Sequence, residues 1–471
     1  MINLTQEQQK ICGFTYCLNL LSFNSPLGEK LTLKPFLKGE EEELRDYLQD
    51  IGTLIENYPQ TAKIRKDVSF LLMQTRVIEK TLLKCGGLLD EVELFEIKRF
   101  LLTCEKMLPL ISSLRQTCAF KSHDKLKDVK MPLLILDPEG LRAEVFFISG
   151  KGRPQLKSVR EQKKILDAKL KTLKGSEREE CLALHGKLWA EEKELEGDAL
   201  KQMCDELEAY KEDMLFNYKL LGAYDLLLAK AELATKYHCA RPQIVEENIA
   251  AKQMILPHIK DRLEKAGGQF TPLDIEIEKG ATVLTGANMG GKTVALKSLL
   301  VNCLLMQFGF YVFAESFSSP LFEGYFYLPF EGEKEEDGLS GFACDVVRLN
   351  GGYALFKDKN CLVVMDEFAR GTNAAEGEKI LAAVVKTLNK TPELYALLTT
   401  HYDNVAPYAA AHYQTGGLRQ EGVKGQNIGL KEISRLMDYG LKRVSLNSPA
   451  PKDAIEVCRL LGLSDDFMSN F

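Results

Sequence analysis

The sequence lacks the marks of several common protein classes. Its twelve cysteines include no C-x-x-C pair and no Cys/His cluster at zinc spacing, so neither a zinc site nor a thiol–disulfide motif is read from it. Cys303 and Cys361 sit inside apolar runs and read as small buried hydrophobes of a reducing compartment. The first residues, Met1-Ile2-Asn3-Leu4-Thr5-Gln6, have no basic region followed by an apolar core, so no signal peptide is expected. The longest apolar stretch, Leu299 to Phe313, carries Asn302 and Gln307 and is too short for a bilayer. A cytoplasmic location without membrane contact is the expectation. There is no excess of positive charge: the net charge is −6, so any nucleic-acid contact must be local. No internal repeat or low-complexity linker is visible. A length of 471 residues, with 45% hydrophobic and 27% charged residues, suits a globular protein of roughly two to four domains.

Along the chain the pattern changes three times. Residues 1–120 show apolar residues at helical spacing, broken by the turn cluster Asn24-Ser25-Pro26-Leu27-Gly28 and by Gly86-Gly87. Residues 121–155 hold two short apolar runs, Leu133 to Leu136 and Ala143 to Ile148, among Pro132, Pro138, Gly140, Gly150 and Gly152; they predict a small β-hairpin. Residues 156–240 are rich in Lys, Glu, Leu and Ala, and Gly175 divides them into two expected antiparallel helices. The stretch 151–174 is basic (Lys151, Arg153, Lys157, Arg160, Lys163, Lys164, Lys169, Lys171, Lys174), with Glu161 and Asp167 as its acids. It reads either as a contact to a phosphate backbone or as a helix neutralised by the acidic one that follows. Residues 241–471 alternate strands and helices, with strands predicted at 271–278, 281–284, 311–313, 325–328, 362–365 and 396–400.

The most informative stretch is Thr285-Gly286-Ala287-Asn288-Met289-Gly290-Gly291-Lys292-Thr293, which fits G-x-x-x-x-G-K-[ST] between a predicted strand and a predicted helix. There, backbone N–H groups and the helix dipole meet phosphate oxygens, Lys292 reaches the β- and γ-phosphates, and Thr293 holds Mg²⁺. Four features follow in order. Gly338-Leu339-Ser340-Gly341-Phe342 is a small hydroxyl-bearing loop opening a helix. Leu362-Val363-Val364-Met365-Asp366-Glu367 is an apolar strand ending in two acids, Asp366 for Mg²⁺ and Glu367 to polarise an attacking water. Ala369-Arg370-Gly371-Thr372 is a tight loop next to them. Leu397-Leu398-Thr399-Thr400-His401 ends a strand in a histidine able to sense the γ-phosphate. These motifs resemble those of ABC/MutS-type ATPases, and the resemblance implies an α/β P-loop ATPase domain of that type, preceded by an all-α lever and core with a small β insertion.

The phosphate loop, with its Asn288-Met289 pair, resembles that of the MutS family of DNA mismatch-repair ATPases, as do Asp366-Glu367-Phe368-Ala369-Arg370-Gly371-Thr372 and Thr400-His401-Tyr402. Ala223 to Ala231 and Arg241-Pro242 are similar to that family's helical junction, and Ser25-Pro26-Leu27-Gly28 and Gly86 to Asp90 to its helical core. The resemblance implies a dimer that sandwiches two ATP·Mg²⁺, each site completed by Ser340 and Phe342 of the other subunit, with helical levers that close a clamp on DNA. Mismatch-recognition and connector segments and a following nuclease domain are not expected, and the clamp is expected to be reduced to the hairpin near 131–150. Ala287, Ala369 and Gly341 stand where the family usually has proline, glycine and threonine. A second expectation comes from Leu136-Asp137-Pro138-Glu139-Gly140, similar to short MutS-like proteins associated with reactivating B12-dependent aminomutases. There the levers would act on a protein partner and not on DNA.

Overall fold

The computed structural model describes residues 4–287, 289–330, 341–419, 429–451 and 453–470. Asn288 and Ser340 lie outside them. The chain divides into one unit of Met1–Ser22, Leu33–Gly52 and Lys230–Phe471, and another of Phe23–Thr32 and Thr53–Ala229.

Among its described residues the first unit carries ten strands: β1 (Gln243–Ile244), β2 (Ile249–Met254), β3 (Leu273–Ile277), β4 (Gly280–Thr285), β5 (Ser316–Ser319), β6 (Gly324–Leu328), β7 (Cys361–Asp366), β8 (Leu394–Thr399), β9 (Ala411–Leu418) and β10 (Met437–Val444). The main sheet has the order β10-β9-β4-β8-β7-β6; only β10 is antiparallel, and it forms an edge. β4, β7 and β8 are buried at every residue, as parallel strands covered on both faces must be. A smaller sheet has the order β1-β5-β2-β3. The expected strand at 311–313 forms only an isolated bridge, Ala240 to Val312.

Helix Lys292–Gln307 follows the phosphate loop and is buried nearly all round, which explains its largely apolar sequence. Asn302 and Gln307 tie down the chain that follows. The Asn302 side-chain oxygen accepts from Phe313 N at 2.7 Å, and Gln307 Oε1 accepts from Tyr325 Oη at 2.7 Å. The helix C-terminus is met by a buried cation. Lys230 Nζ donates to Phe308 O at 2.8 Å, Gly309 O at 3.1 Å and Tyr47 Oη at 3.2 Å, and lies 4.1 Å from the centre of the Phe310 ring. Burial pushes its pKa well below the usual lysine value.

Residues 1–120 do not form one helical core. Leu4, Cys12, Phe14, Cys17, Leu44 and Leu48 belong to the same apolar cluster as the phosphate-loop helix. Gln8 Nε2 donates to Tyr327 O at 2.7 Å and Phe36 N to Gln307 O at 2.7 Å. Helical periodicity identifies an apolar face but not what it packs against.

In the second unit, helix Glu91–Cys118 starts with an Asp90/Glu93 capping box and buries Leu94, Ile97, Leu101, Met107, Ile111 and Leu114. The turn at Ser25 is organised by Asp225, which is fully buried. Its carboxylate accepts from Asn24 N (2.9 Å), Asn24 Nδ2 (3.0 Å), Ser25 N (2.8 Å) and Ser25 Oγ (2.6 Å). A Cβ on Gly28 would lie 2.5 Å from Asp225 Oδ2, so glycine is required there by contact.

The expected β-hairpin at 121–155 is absent among the described residues. Leu133 to Leu136 lie in helix Lys130–Leu136, and Ala143 to Ile148 form no strand. Side chains replace the partner strand. Lys98 Nζ donates to Val145 O at 2.9 Å, Arg160 to Ile148 O at 2.7 Å, and the buried Asp137 carboxylate accepts from Arg142 N at 2.8 Å. Asp137 also pairs with buried Lys98 at 3.3 Å. Helices Pro154–Leu170 and Ser176–Glu208 pack on each other, and Gly175, at φ +67°, stands before the second. Asp167 meets His185, Lys163 meets Glu192, and Arg160 meets Glu192 and Glu196; the reversed order of partners makes the pair antiparallel. Two of the nine basic residues are thus neutralised by the acidic helix.

Candidate functional site

β4, β8 and β7 are neighbouring parallel strands, so their C-terminal ends share one edge of the sheet. Three sequence features emerge at that edge: the phosphate loop after β4, Asp366 and Glu367 at the end of β7, and His401 after β8. This is where open α/β sheets bind ligands.

Threonine hydroxyls link the three strand ends. Asp366 Oδ1 accepts from Thr293 Oγ1 at 3.0 Å and from Thr399 Oγ1 at 2.7 Å, while Thr399 Oγ1 accepts from Glu367 N at 2.9 Å. Burial raises the Asp366 pKa, opposed by these hydrogen bonds. Thr293 and Asp366, predicted together, are together. Glu367 has φ +50°, a left-handed conformation at the strand end. Its Oε1 lies 3.7 Å from Lys292 Nζ, and its Oε2 accepts from Arg370 at 2.7 Å. Lys292 also donates to Gly286 O (3.0 Å) and Ala287 O (3.2 Å); burial lowers its pKa, opposed by Glu367 and Asp366.

The glycines of the loop have two distinct reasons. Gly286 (φ +146°) and Gly291 (φ +88°) adopt backbone closed to most residues, and Met289 shares the positive range at +70°. Gly290 has no such angle. A Cβ there would lie 2.5 Å from Thr415 Oγ1 and 2.9 Å from Ala287 O, so packing alone demands glycine.

His401 is exposed, with its ring centre 4.3 Å from that of Tyr402. Its pKa is lowered by desolvation, against the pull of Glu367 and with the push of Arg370 and Lys292, which places it within the field of the other site residues. Phe342, in the first turn of helix Gly341–Phe356, lies 6.5 Å between ring centres from Phe368 and packs beside Gly371. Its contacts here are thus to the tight loop after Glu367 in its own chain.

Beside the loop opens a cavity of about 780 Å³, lined by Leu263, Phe270, Met289, Lys292, Glu367, Met437 and Tyr439, with Arg419 and Arg435 at its edge. Its apolar, aromatic wall suits a flat heterocycle placed next to a phosphate site. Sequence reasoning missed Phe270, Met437 and Tyr439. Met437 and Tyr439 come from β10 and Phe270 from the loop before β3, and nothing in their local pattern marks them.

Comparison with known proteins bears on this geometry. Residues 282–440, from β4 to β10, match the model of MutS domain V. The Endonuclease MutS2 of Caldanaerobacter subterraneus subsp. tengcongensis is 28% identical over 286 residues, covering 59% of this chain and 33% of that protein. This part of the chain is similar to the MutS family. The Endonuclease MutS2 of Thermomicrobium roseum is 29% identical over 289 residues (59% of this chain, 35% of that protein), and the DNA mismatch repair protein MutS of Staphylococcus saprophyticus 27% over 223 residues (46% and 24%). The chain thus aligns with about a third or less of the length of these MutS relatives. One departure from the MutS pattern is explained by geometry. Ala369, where glycine is usual, has φ +66°, and its carbonyl accepts from Tyr402 Oη at 2.9 Å. The left-handed turn persists without glycine because Tyr402 holds it. No helix among the described residues is long and apolar enough to cross a membrane.

Proposed function

We propose that this chain is a MutS-family, Mg²⁺-dependent ATPase that works as a dimer and couples nucleotide turnover to a grip on DNA. The observation that carries the ATPase reading is the convergence of Lys292, Thr293, Asp366 and Glu367 at one helix N-terminus, with Asp366 bonded to Thr293 and Glu367 held apart from it. The backbone of Gly286, Asn288, Met289, Gly290 and Gly291 and the amine of Lys292 bind the β- and γ-phosphates. The Thr293 hydroxyl and Asp366 carboxylate are hard oxygen donors of the kind Mg²⁺ takes, and the ion would neutralise phosphate charge. Glu367 accepts a proton from the attacking water once Arg370 and Lys292 release it, and His401 holds the γ-phosphate edge. Ser340 and Phe342 complete the site of a second copy.

The test uses two variants. Lys292→Ala abolishes ATP binding, and normal affinity in it would contradict the phosphate-loop assignment. Glu367→Gln binds ATP but does not turn it over; undiminished hydrolysis removes Glu367 from its role. Light scattering of Glu367→Gln with Mg·ATP should report a dimer.

For DNA, the helices of the second unit act as levers. Among the described residues, Lys151, Lys157, Lys164, Lys169, Lys171 and Lys174 are exposed and have no ion-pair partner, which leaves six cations for a phosphate backbone. Binding of Glu367→Gln with Mg·ATP to duplex or branched DNA should weaken steeply with salt. One observation favours a protein partner instead. Met131, Leu134, Leu141 and Val145 are each more than half exposed in and after helix Lys130–Leu136. Capture of a protein and not of DNA by the same ATP-locked variant decides for that reading.

A further inference from the structure

Thr415 lies on β9, next to β4, and is 1% exposed. Its hydroxyl has no hydrogen-bond partner among the described residues. Few buried hydroxyls are left so, because an unmet buried polar group destabilises the fold. The hydroxyl lies beneath the phosphate loop: Oγ1 is 2.0 Å from where a Cβ on Gly286 would stand and 2.5 Å from that of Gly290. The second of these points is also 2.9 Å from Ala287 O. The orphaned hydroxyl and the Ala287 carbonyl therefore face the same side of Gly290.

That carbonyl is served by two donors in this structure, Lys292 Nζ at 3.2 Å and Gly290 N at 3.0 Å, and Lys292 Nζ also serves Gly286 O at 3.0 Å. Both donors are groups that a phosphate-binding loop turns toward phosphate oxygens. Once they turn, the loop carbonyls lose their donors in a place with little access for water. Thr415 is the neighbouring side chain with a free O–H to give.

We propose that Thr415 is a positioning residue of the nucleotide site: when Lys292 moves to phosphate, the Thr415 hydroxyl donates to the loop carbonyl that Lys292 leaves. The exchange keeps the loop's acceptors satisfied in both arrangements and lowers the cost of releasing Lys292. It also gives Gly286 and Gly290 a shared reason, since a side chain at either would displace the hydroxyl. The proposal rests on the nucleotide-binding reading above.

The experiment compares the full chain with Thr415→Val, which keeps shape and removes the hydroxyl, and Thr415→Ser, which keeps the hydroxyl. Mg·ADP binding is measured by calorimetry, and the melting temperature with and without Mg·ADP. Thr415→Val should melt at or above the wild-type temperature without nucleotide, bind Mg·ADP about three- to tenfold more weakly, and show a smaller nucleotide-induced rise. Thr415→Ser should bind within about twofold of wild type. Equal affinity in wild type and Thr415→Val, or equal weakening in both variants, overturns the proposal. If Thr415→Val does not fold, Thr415→Ala replaces it, and equal affinity in the Ala and Ser variants overturns the proposal. Wild-type protein that binds no nucleotide overturns the site reading itself, whereas a wild type that binds beside an indifferent Thr415→Val removes Thr415 alone.

Discussion

Replacing Asp225 by alanine tests how much of the second unit rests on one buried carboxylate. Four hydrogen bonds at 2.6–3.0 Å end on its two oxygens, two from the backbone of Asn24 and Ser25 and two from their side chains. The side-chain donors can turn toward water or, for Ser25 Oγ, keep the bond it accepts from Gly28 N at 3.2 Å. The two backbone N–H groups cannot. Each unmet N–H costs about 1–3 kcal/mol, so Asp225→Ala should lose about 3–5 kcal/mol. For a unit of this size that lowers the melting temperature by roughly 8–16 °C. Asp225→Asn keeps one acceptor and turns an amide toward the donors on the other side, so it should lose about half as much. Calorimetric melting of the three proteins reads these shifts. A double-mutant cycle with Ser25→Ala adds a check, because residues in one network couple by about 0.5–3 kcal/mol. An Asp225→Ala protein melting within about 2 °C of wild type would refute the reasoning.

Gly290→Ala should weaken Mg·ADP binding about tenfold or more, since its methyl meets Thr415 Oγ1 and Ala287 O within 3 Å; unaltered affinity in calorimetry would contradict the packing argument. Tyr439→Ala should cost about tenfold in ATP affinity through lost stacking against the base, with hydrolysis at saturating ATP near wild type; a fall in turnover alone would place Tyr439 elsewhere in the cycle. His412 is buried, and its pKa lies below the ordinary 6.5 because of desolvation, opposed by its bond to Ser445 O. That carbonyl only accepts, so Nδ1 carries the proton and Nε2 accepts from Thr285 Oγ1 at 2.8 Å. A histidine with a depressed folded pKa takes up a proton more readily when unfolded, so its penalty is nil above pH 6.5 and grows as pH falls below it. The melting temperature should drop from pH 7.5 to about 5.5, less so in His412→Gln, and a rise on acidification would reverse the sign of the argument.

The candidate site at the sheet edge of the first unit was legible in the sequence because its residues are fixed by strand ends. A loop after one apolar strand, two acids closing a second and a histidine after a third meet wherever those strands are parallel neighbours. The order of the strands is not written in any one of them. What packs against the apolar face at Leu4 to Leu48 was equally illegible, since periodicity names a face and not its partner. The hairpin expectation at 121–155 failed for a related reason. Short apolar runs between glycines and prolines suit a strand, but Lys98, Asp137 and Arg160 supply the hydrogen bonds a strand would have needed, and Lys98 lies far off in sequence. Thr415 and Tyr439 look like ordinary strand residues; only the register of β9 and β10 beside β4 gives them the site.

The cysteines have a practical consequence. Nine of the twelve thiols are buried, and a tenth, Cys239, is half-buried with its pKa pushed up to about 12 by desolvation. The thiolate is the reactive form, so these ten are poor targets for mild alkylation. Cys344 and Cys458 remain. Cys344 stands two residues after Phe342, in the opening turn of helix Gly341–Phe356. After Cys458→Ser, a maleimide dye would report from beside Phe342 with no cysteine introduced, and a change in its emission on adding Mg·ATP would test the proposed arrival of a second copy.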